Sequence, residues 1–200
     1  SVSALVDIGN YVMLEIGQPM HVFDADKLSG CLTVRRAQNG ETLECLNGKT
    51  VELADNTLVV ADEAAALSIA GLMGGAASAV SDDTQNIVLE SAWFAPDIIA
   101  GKSRQYGFGS DSSFRFERGV DTQIQRDAIE RASELVLQIC GGAAGEIVSA
   151  SGRQPENHTV NVRTSRVAKI LGVDISAARI GEILRGLGLQ PETTADGFTV

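Results

Sequence analysis

The sequence predicts an α+β fold: a strand-rich, β-sandwich-like core flanked by helices, followed by a small helical domain that breaks off unfinished. Three observations carry this expectation. The apolar repeat changes from helical spacing to a period of two after Cys31, and a second long helical repeat runs from Asp121 to Cys140. A polar stretch at 150–159 then interrupts the pattern before two further helices.

In chain order, "SALVDIGNYVMLEIG" places Leu5, Ile8, Val12 and Ile16 on one helical stripe. Ser3 is its N-cap and Gly17 its stop, with Asn10 off the stripe. "CLTVRRA", "TLECLNGKTVEL", "TLVVAD", "ALSIAG" and "NIVLES" read as short strands between turns. Asn47-Gly48 between alternating runs predicts a hairpin closed by a type I′ turn, in which both central residues need positive φ. Pro96 opens a short helix ending near Gly107. The long helix 121–140 repeats Ile124, Ala128, Ile129, Ala132, Leu135, Val136 and Ile139, and Gly141-Gly142 ends it. These elements form a unit over residues 1–150, and 151–159 read as a linker. From 160 to 200 come a strand ("VNVR"), a helix capped by Thr164 or Ser165, a helix capped by Ser176 and a strand beginning at Phe198. The chain lacks an initial Met and stops at "DGFTV", so a piece of a longer polypeptide is expected.

Composition limits the function classes. With 44% hydrophobic residues and only 4% aromatic, the core must be built mostly from Val, Ile, Leu and Ala. A net charge of −10 argues against gripping nucleic acid by bulk electrostatics, though Arg104, Arg115 and Arg118 are compatible with a local basic patch. Cys31, Cys45 and Cys140 are odd in number, have no zinc or redox spacing, and read as free buried thiols in a reducing compartment. The longest uncharged run with its glycines, 64–80, is too short for a comfortable membrane span, and no signal peptide pattern is present; a cytoplasmic location is expected.

Two phosphate-loop patterns fail. "AGKS" (100–103) would need a glycine where Pro96 stands and lies in helical context, and "GFGSDS" (107–112) lacks the third glycine of a dinucleotide fingerprint. "GLMGG" (71–75) follows a strand and is either a tight turn or a place where backbone approaches a ligand. Glu90 shares a strand face with Val88, so it is either a sheet-edge carboxylate or one held half-buried for function. His21, in "GQPMHVFDAD", is either a packed core histidine or a side chain aimed at a ligand. Asp24 and Asp26 read as solvated or capping residues, and no metal site or GxSxG elbow is legible. Residue pattern alone does not join His21, Gly74 and Glu90.

Taken together, "LVDIGNYVMLEIGQPMHVFDADKL", "LSIAGLMGG", "IVLESAWF" and "SDSSFRFERGVD" resemble, in order, the family of bacterial phenylalanyl-tRNA synthetase β subunits. The resemblance covers residues 1 to about 150 as that family's editing module (its third and fourth domains), and 160–200 resemble the start of its small helical fifth domain. It implies hydrolysis of tyrosine mischarged on phenylalanine tRNA. It also implies an α subunit partner in an α2β2 tetramer, contact with the acceptor end of that tRNA, and ATP and magnesium for the full synthetase but no cofactor in this fragment. Editing has a physical reason: an apolar pocket rejects an isostere with one added hydroxyl by only about a hundredfold.

Carried over by the resemblance, Glu90 accepts the tyrosine phenol and Gly74 lines the same end of the pocket. His21 and Asn10 lie near the scissile ester and the terminal adenosine, and Ser110 and Ser112 form the pocket wall. His21 and Asn10 then orient the water or the ribose, with His21 either a general base or a positioner. The sequence departs from the family pattern at Gly9 and Ser110, where threonine is usual, and at Ser112, where alanine is usual. The contrasting expectation is a noncatalytic scaffold that docks tRNA or packs the β subunit against its partner.

Overall fold

The computed structural model describes residues 1–152, 155 and 158–200. It divides into two compact units, Ser1–Val148 and Ser149–Val200. The linker expected at 151–159 falls partly on Arg153, Gln154, Glu156 and Asn157, which lie outside the described residues.

The first unit has the α+β architecture predicted. Helix α1 (Ala4–Ile16) is capped by Ser3, whose side chain accepts from Val6 N–H, and Gly17 closes it with its N–H on the Met13 carbonyl. Strand β1 (Met20–Asp24) follows at once, and a 3₁₀ turn (Ala25–Lys27) is capped by the Asp24 carboxylate. Then come β2 (Thr33–Arg36), β3 (Thr42–Glu44), β4 (Thr50–Glu52), β5 (Leu58–Ala61), β6 (Ala66–Ile69), β7 (Met73–Gly74) and β8 (Ile87–Ser91). Sheet order is β2-β5-β6-β7 in a four-stranded antiparallel sheet, with β3-β4 as a hairpin and β1-β8 as a separate antiparallel pair.

The central strands β5 and β6 are buried on both faces, which explains their nearly continuous apolar runs, whereas the edge strand β2 is largely exposed. Val59, Ala61 and Ile69 pack in one cluster with Leu43, Cys45 and Leu72, while Val60 and Leu67 pack in another with Phe23, Phe94, Ile99 and Phe116. A third cluster joins Ile8 and Val12 of α1 to Ala128 and Ala132 of α5 (Gln125–Ile139). Small alanines at that contact let the two helices approach closely.

Several local expectations are corrected. The Asn47-Gly48 hairpin forms, but Asn47 does not have positive φ; Gly48 alone does, at 78°. Gly48 N–H donates to the Cys45 carbonyl and Cys45 N–H to that of Lys49. The loop is thus three residues ending in a left-handed glycine, not a two-residue type I′ turn. The helix from Pro96 is two helices, α2 (Pro96–Ile99) and α3 (Lys102–Tyr106), because Gly101 takes a left-handed conformation between them. Helix α5 begins at Gln125 rather than Asp121, whose carboxylate instead accepts from Gln123 N–H in a local turn. A short helix absent from the expectation, α4 (Asp111–Phe116), is capped reciprocally by Ser110 and Ser113. Of the three free cysteines only Cys45 is buried; Cys31 and Cys140 are exposed because their segments lie at a strand approach and past a helix end.

The second unit contains β9 (Asn161–Arg163), α6 (Thr164–Leu171), α7 (Ala177–Gly186), β10 (Glu192–Thr193) and β11 (Gly197–Thr199). Its strands form one antiparallel sheet of order β10-β11-β9. Ser176 caps α7, accepting from Arg179 N–H, whereas neither Thr164 nor Ser165 caps α6: Arg163 occupies that position without a side-chain bond. Phe198 and Ile180 are buried within this unit. Among the described residues no helix is long and apolar enough to cross a membrane.

Candidate functional site

The β1–β8 pair builds the site. Antiparallel register puts His21 directly opposite Glu90, Phe23 opposite Val88, and Val22 opposite Leu89. Directly opposed side chains share a face, and faces alternate along each strand. Met20 and Leu89 pack with the α1–α5 cluster, while Phe23 and Val88 pack with the cluster against the four-stranded sheet. His21 and Glu90 therefore share the Phe23–Val88 face, and two ionisable groups sit together at the end of an otherwise apolar surface.

Both side chains are half-buried, yet their inner atoms are closed off. His21 Nε2 and Glu90 Oε2 are buried without a hydrogen-bond partner. Burial pushes the His21 imidazole down to about 4 and the Glu90 carboxyl up to about 7. Near neutral pH the imidazole is uncharged and the carboxyl is close to half-ionised. Phe23 stands edge-on to the imidazole, ring centroids 4.5 Å apart at 85°. A buried donor or acceptor without a partner costs about 1–3 kcal/mol, so two of them side by side call for an explanation.

Gly74 on β7 completes the cluster. A Cβ placed there would lie 2.5 Å from His21 Cε1, 2.9 Å from His21 Nε2 and 2.9 Å from Leu46 Cδ1. The ring that this glycine admits is thus the imidazole of His21. The structure brings His21, Glu90 and Gly74 together from three strands that are remote in sequence.

The other candidate residues are placed differently. Ser110 Oγ donates to the Leu72 carbonyl at 2.7 Å and accepts from Ser113 N–H at 3.1 Å. Its hydroxyl ties the start of α4 to the segment entering β7, two residues before Gly74. Ser112, half-buried, lies in the first turn of the same helix. Asn10 is exposed on α1, on the side away from Ile8 and Val12. Its neighbour Gly9 lies beside Met20: a Cβ on Gly9 would find Met20 Cβ and O at 3.9 Å, ordinary contact, so that glycine is not sterically required. Asp24 is buried and caps the 3₁₀ turn, accepting from Thr84 Oγ1 and Asp26 N–H, and Asp26 accepts from Asn86 Nδ2. Both aspartates are structural.

Sequence reasoning missed Leu46 and Phe23 as members of the site. The Asn47-Gly48 signal located the hairpin tip, but no sequence feature shows that Leu46 N–H reaches the Gly74 carbonyl, at 2.9 Å.

Three relatives align over the full length of this chain, all named phenylalanine–tRNA ligase beta subunit. They come from Neisseria gonorrhoeae (76% identical), Chromobacterium violaceum (56%) and Haemophilus influenzae (48%). The chain spans about a quarter of the length of these curated relatives: 25%, 26% and 25% respectively. A solved N-terminal fragment of the phenylalanyl-tRNA synthetase beta subunit from Pyrococcus horikoshii covers 98% of this chain, and the chain covers 58% of it. At 11% identity and a TM-score of 0.41, that likeness is too weak to bear on the site. Residues 1–141, which hold β1, β7, β8 and every candidate site residue, match the B3/4 domain, and the chain belongs to the B3/4 domain family.

Proposed function

We propose that this chain is the editing module of a phenylalanine–tRNA ligase β subunit, hydrolysing the ester of tyrosine mischarged on phenylalanine tRNA. The observation that carries the reading is the convergence of His21, Glu90 and Gly74, with Nε2 and Oε2 buried and partnerless. Such atoms are stabilised by a ligand that brings its own hydrogen-bonding groups, and a phenol hydroxyl is one.

Glu90 takes the phenol. Phenylalanine entering the same place would leave the carboxyl unpaired, at about 1–3 kcal/mol, so the site retains tyrosine and releases phenylalanine. Around pH 7 both forms of the carboxyl can bond a phenol, since the ionised form accepts and the protonated form also donates.

At the ester, water adds to the carbonyl carbon, the bond to the ribose oxygen breaks, that oxygen takes a proton, and tyrosine leaves as the free acid. An aminoacyl ester is already activated, so orientation of water supplies much of the rate. A histidine held near 4 is a weak base but, being neutral, still accepts and donates one hydrogen bond each. His21 therefore acts as a positioner of water or ribose; Asn10, exposed on α1, is assigned to the same end of the substrate by the family resemblance and not by a contact with His21. Directly paired residues stand about 5 Å apart at Cβ; in this reading Glu90 serves the phenol end of the tyrosyl group and His21 the ester end. Ser110 and Ser112 belong to the wall, Ser110 through its hold on Leu72. ATP and magnesium serve the charging reaction of the complete synthetase and enter none of these steps. The acceptor end of the tRNA and an α subunit, in an α2β2 assembly, are the partners, and the cytoplasm is the setting.

The test is deacylation of tyrosyl-tRNA by the full-length synthetase carrying Glu90→Ala or His21→Ala. The expected result is loss of deacylation with phenylalanine charging retained. Deacylation at the wild-type rate in both variants would leave the chain a tRNA-docking or subunit-packing scaffold.

A further inference from the structure

Leu46 is an apolar side chain left 50% exposed on a backbone that is held on both sides. Its N–H donates to the Gly74 carbonyl, Ala76 N–H donates to the Glu44 carbonyl, and Cys45 bridges to Gly75. The tip of the β3–β4 hairpin is thus stitched along Gly74–Ala76. Leu46 Cδ1 lies 2.9 Å from the point where a Gly74 Cβ would stand, and the Cε1–Nε2 edge of His21 lies 2.5 and 2.9 Å from the same point. Methyl group and imidazole edge thus both border the space that a Gly74 side chain would fill. Near the imidazole stands Phe23, which is fully buried; Leu46, by contrast, is half open to water.

We propose that Leu46 is a positioning residue: its isobutyl group seats the imidazole of His21 against Gly74 and keeps bulk water from Nε2. For its consequence in catalysis this rests on the editing reading, but the seating is a property of this chain alone.

The charged and titratable groups on the elements packed against β1 are few. Glu90 faces His21 directly from β8. On α1, Asp7 is held by Ser1 and Val2, and Glu15 by Arg131 and Tyr11. On the hairpin, Glu44, Lys49 and Glu52 are exposed. In the acid range where His21 titrates, Glu90 is protonated, so burial rather than a charge sets the imidazole's behaviour. Shortening Leu46 admits water to the ring and weakens that burial.

The chain has two histidines, so the Cε1–H signal of His21 is identified in NMR spectra by its persistence in His158→Gln. Titrating wild type, Leu46→Ala, Leu46→Val and Leu46→Met should show the His21 midpoint rising by about one pH unit or more in Leu46→Ala, by less in Leu46→Val, and returning to the wild-type position in Leu46→Met. Because Leu46 is half exposed, the urea midpoint should hardly move, which separates loss of seating from general loosening; if Leu46→Ala does not fold, Leu46→Val decides. A midpoint within about 0.3 pH unit of wild type in the shortened variants overturns the inference. In the full synthetase, Leu46→Ala should lower kcat for tyrosyl-tRNA deacylation more than it raises KM. Wild-type deacylation by Glu90→Ala strikes the editing reading instead, and leaves the NMR result to judge Leu46 separately.

Discussion

Replacing Glu90 by glutamine removes one of two opposed pH linkages and exposes the other. The folded protein keeps the Glu90 proton up to about 7, while an ordinary glutamate gives it up near 4.5. The carboxyl's contribution to stability is therefore complete below 4.5 and is lost as pH rises toward 7. His21 runs the other way: its folded value is depressed from 6.5 to about 4, so its contribution is complete above 6.5 and is lost as pH falls toward 4. At about 1.4 kcal/mol per pKa unit, and allowing for the partial exposure of both side chains, each linkage is worth about 2–3 kcal/mol. Between 4.5 and 6.5 these two linkages run in opposite directions and offset one another.

Glu90→Gln keeps the shape and deletes the carboxyl's titration. The variant's stability should climb relative to wild type by about 2–3 kcal/mol between pH 4.5 and 7. Other carboxylates titrate in both proteins and cancel in the difference. Urea unfolding followed by the single tryptophan, Trp93, which lies two residues past β8, reports on this unit at each pH. A difference between variant and wild type that stays constant to about 0.5 kcal/mol across that range would refute the claim that burial of Glu90 disfavours its charge.

Two further substitutions probe how the cluster is held. Gly74→Ala forces a methyl to within 2.5 Å of His21 Cε1 and 2.9 Å of Leu46 Cδ1, so the imidazole must leave its seat; destabilisation of about 1–3 kcal/mol with a shifted His21 NMR signal is expected, and an unmoved signal would refute the contact. Ser110→Ala deletes both the cap of α4 and the bond to the Leu72 carbonyl. It should cost about 1–2 kcal/mol in urea unfolding, while Ser110→Thr, which keeps the hydroxyl, should stay within about 0.5 kcal/mol of wild type.

Periodicity over ten or more residues made α1, α5 and the strand-rich middle legible, because burial of a face repeats along the chain whatever the tertiary partners are. Shorter elements were lost where the signal is shared between alternatives. Asn47-Gly48 fits a two-residue turn and equally a three-residue loop ending in glycine, and only the ladder from Glu44 to Thr50 distinguishes them. Helix α4 is too short to show a period, and its capping box uses Ser113 where a glutamate or glutamine is the usual sign. Strand β1 is five residues following a proline, with too few alternations to register. Of the site, residue types were visible one by one, but the pairing of His21 with Glu90 and the reach of Leu46 to Gly74 are long-range contacts. No local pattern encodes them; only the family resemblance joined these positions.

Stability alone does not account for the composition of the β1–β8 face. Phe23 and Val88 are what that face calls for, and an apolar pair at 21 and 90 would extend it without any unsatisfied atom. The fold instead places an imidazole and a carboxyl there, moves both away from their ordinary protonation behaviour, and leaves Nε2 and Oε2 without partners. Polar groups paired with each other would lose half of that penalty, but across the strands these two are not hydrogen-bonded. Glycine at 74 then allows the imidazole to lie against backbone, and the hairpin brings Leu46 to the same position. A protein holds unsatisfied polar groups in fixed positions at a cost to folding where something else supplies the missing bonds. On the editing reading proposed above, a tyrosyl ester supplies those bonds, its phenol to the carboxyl and its ester end, or the water held there, to the neutral imidazole.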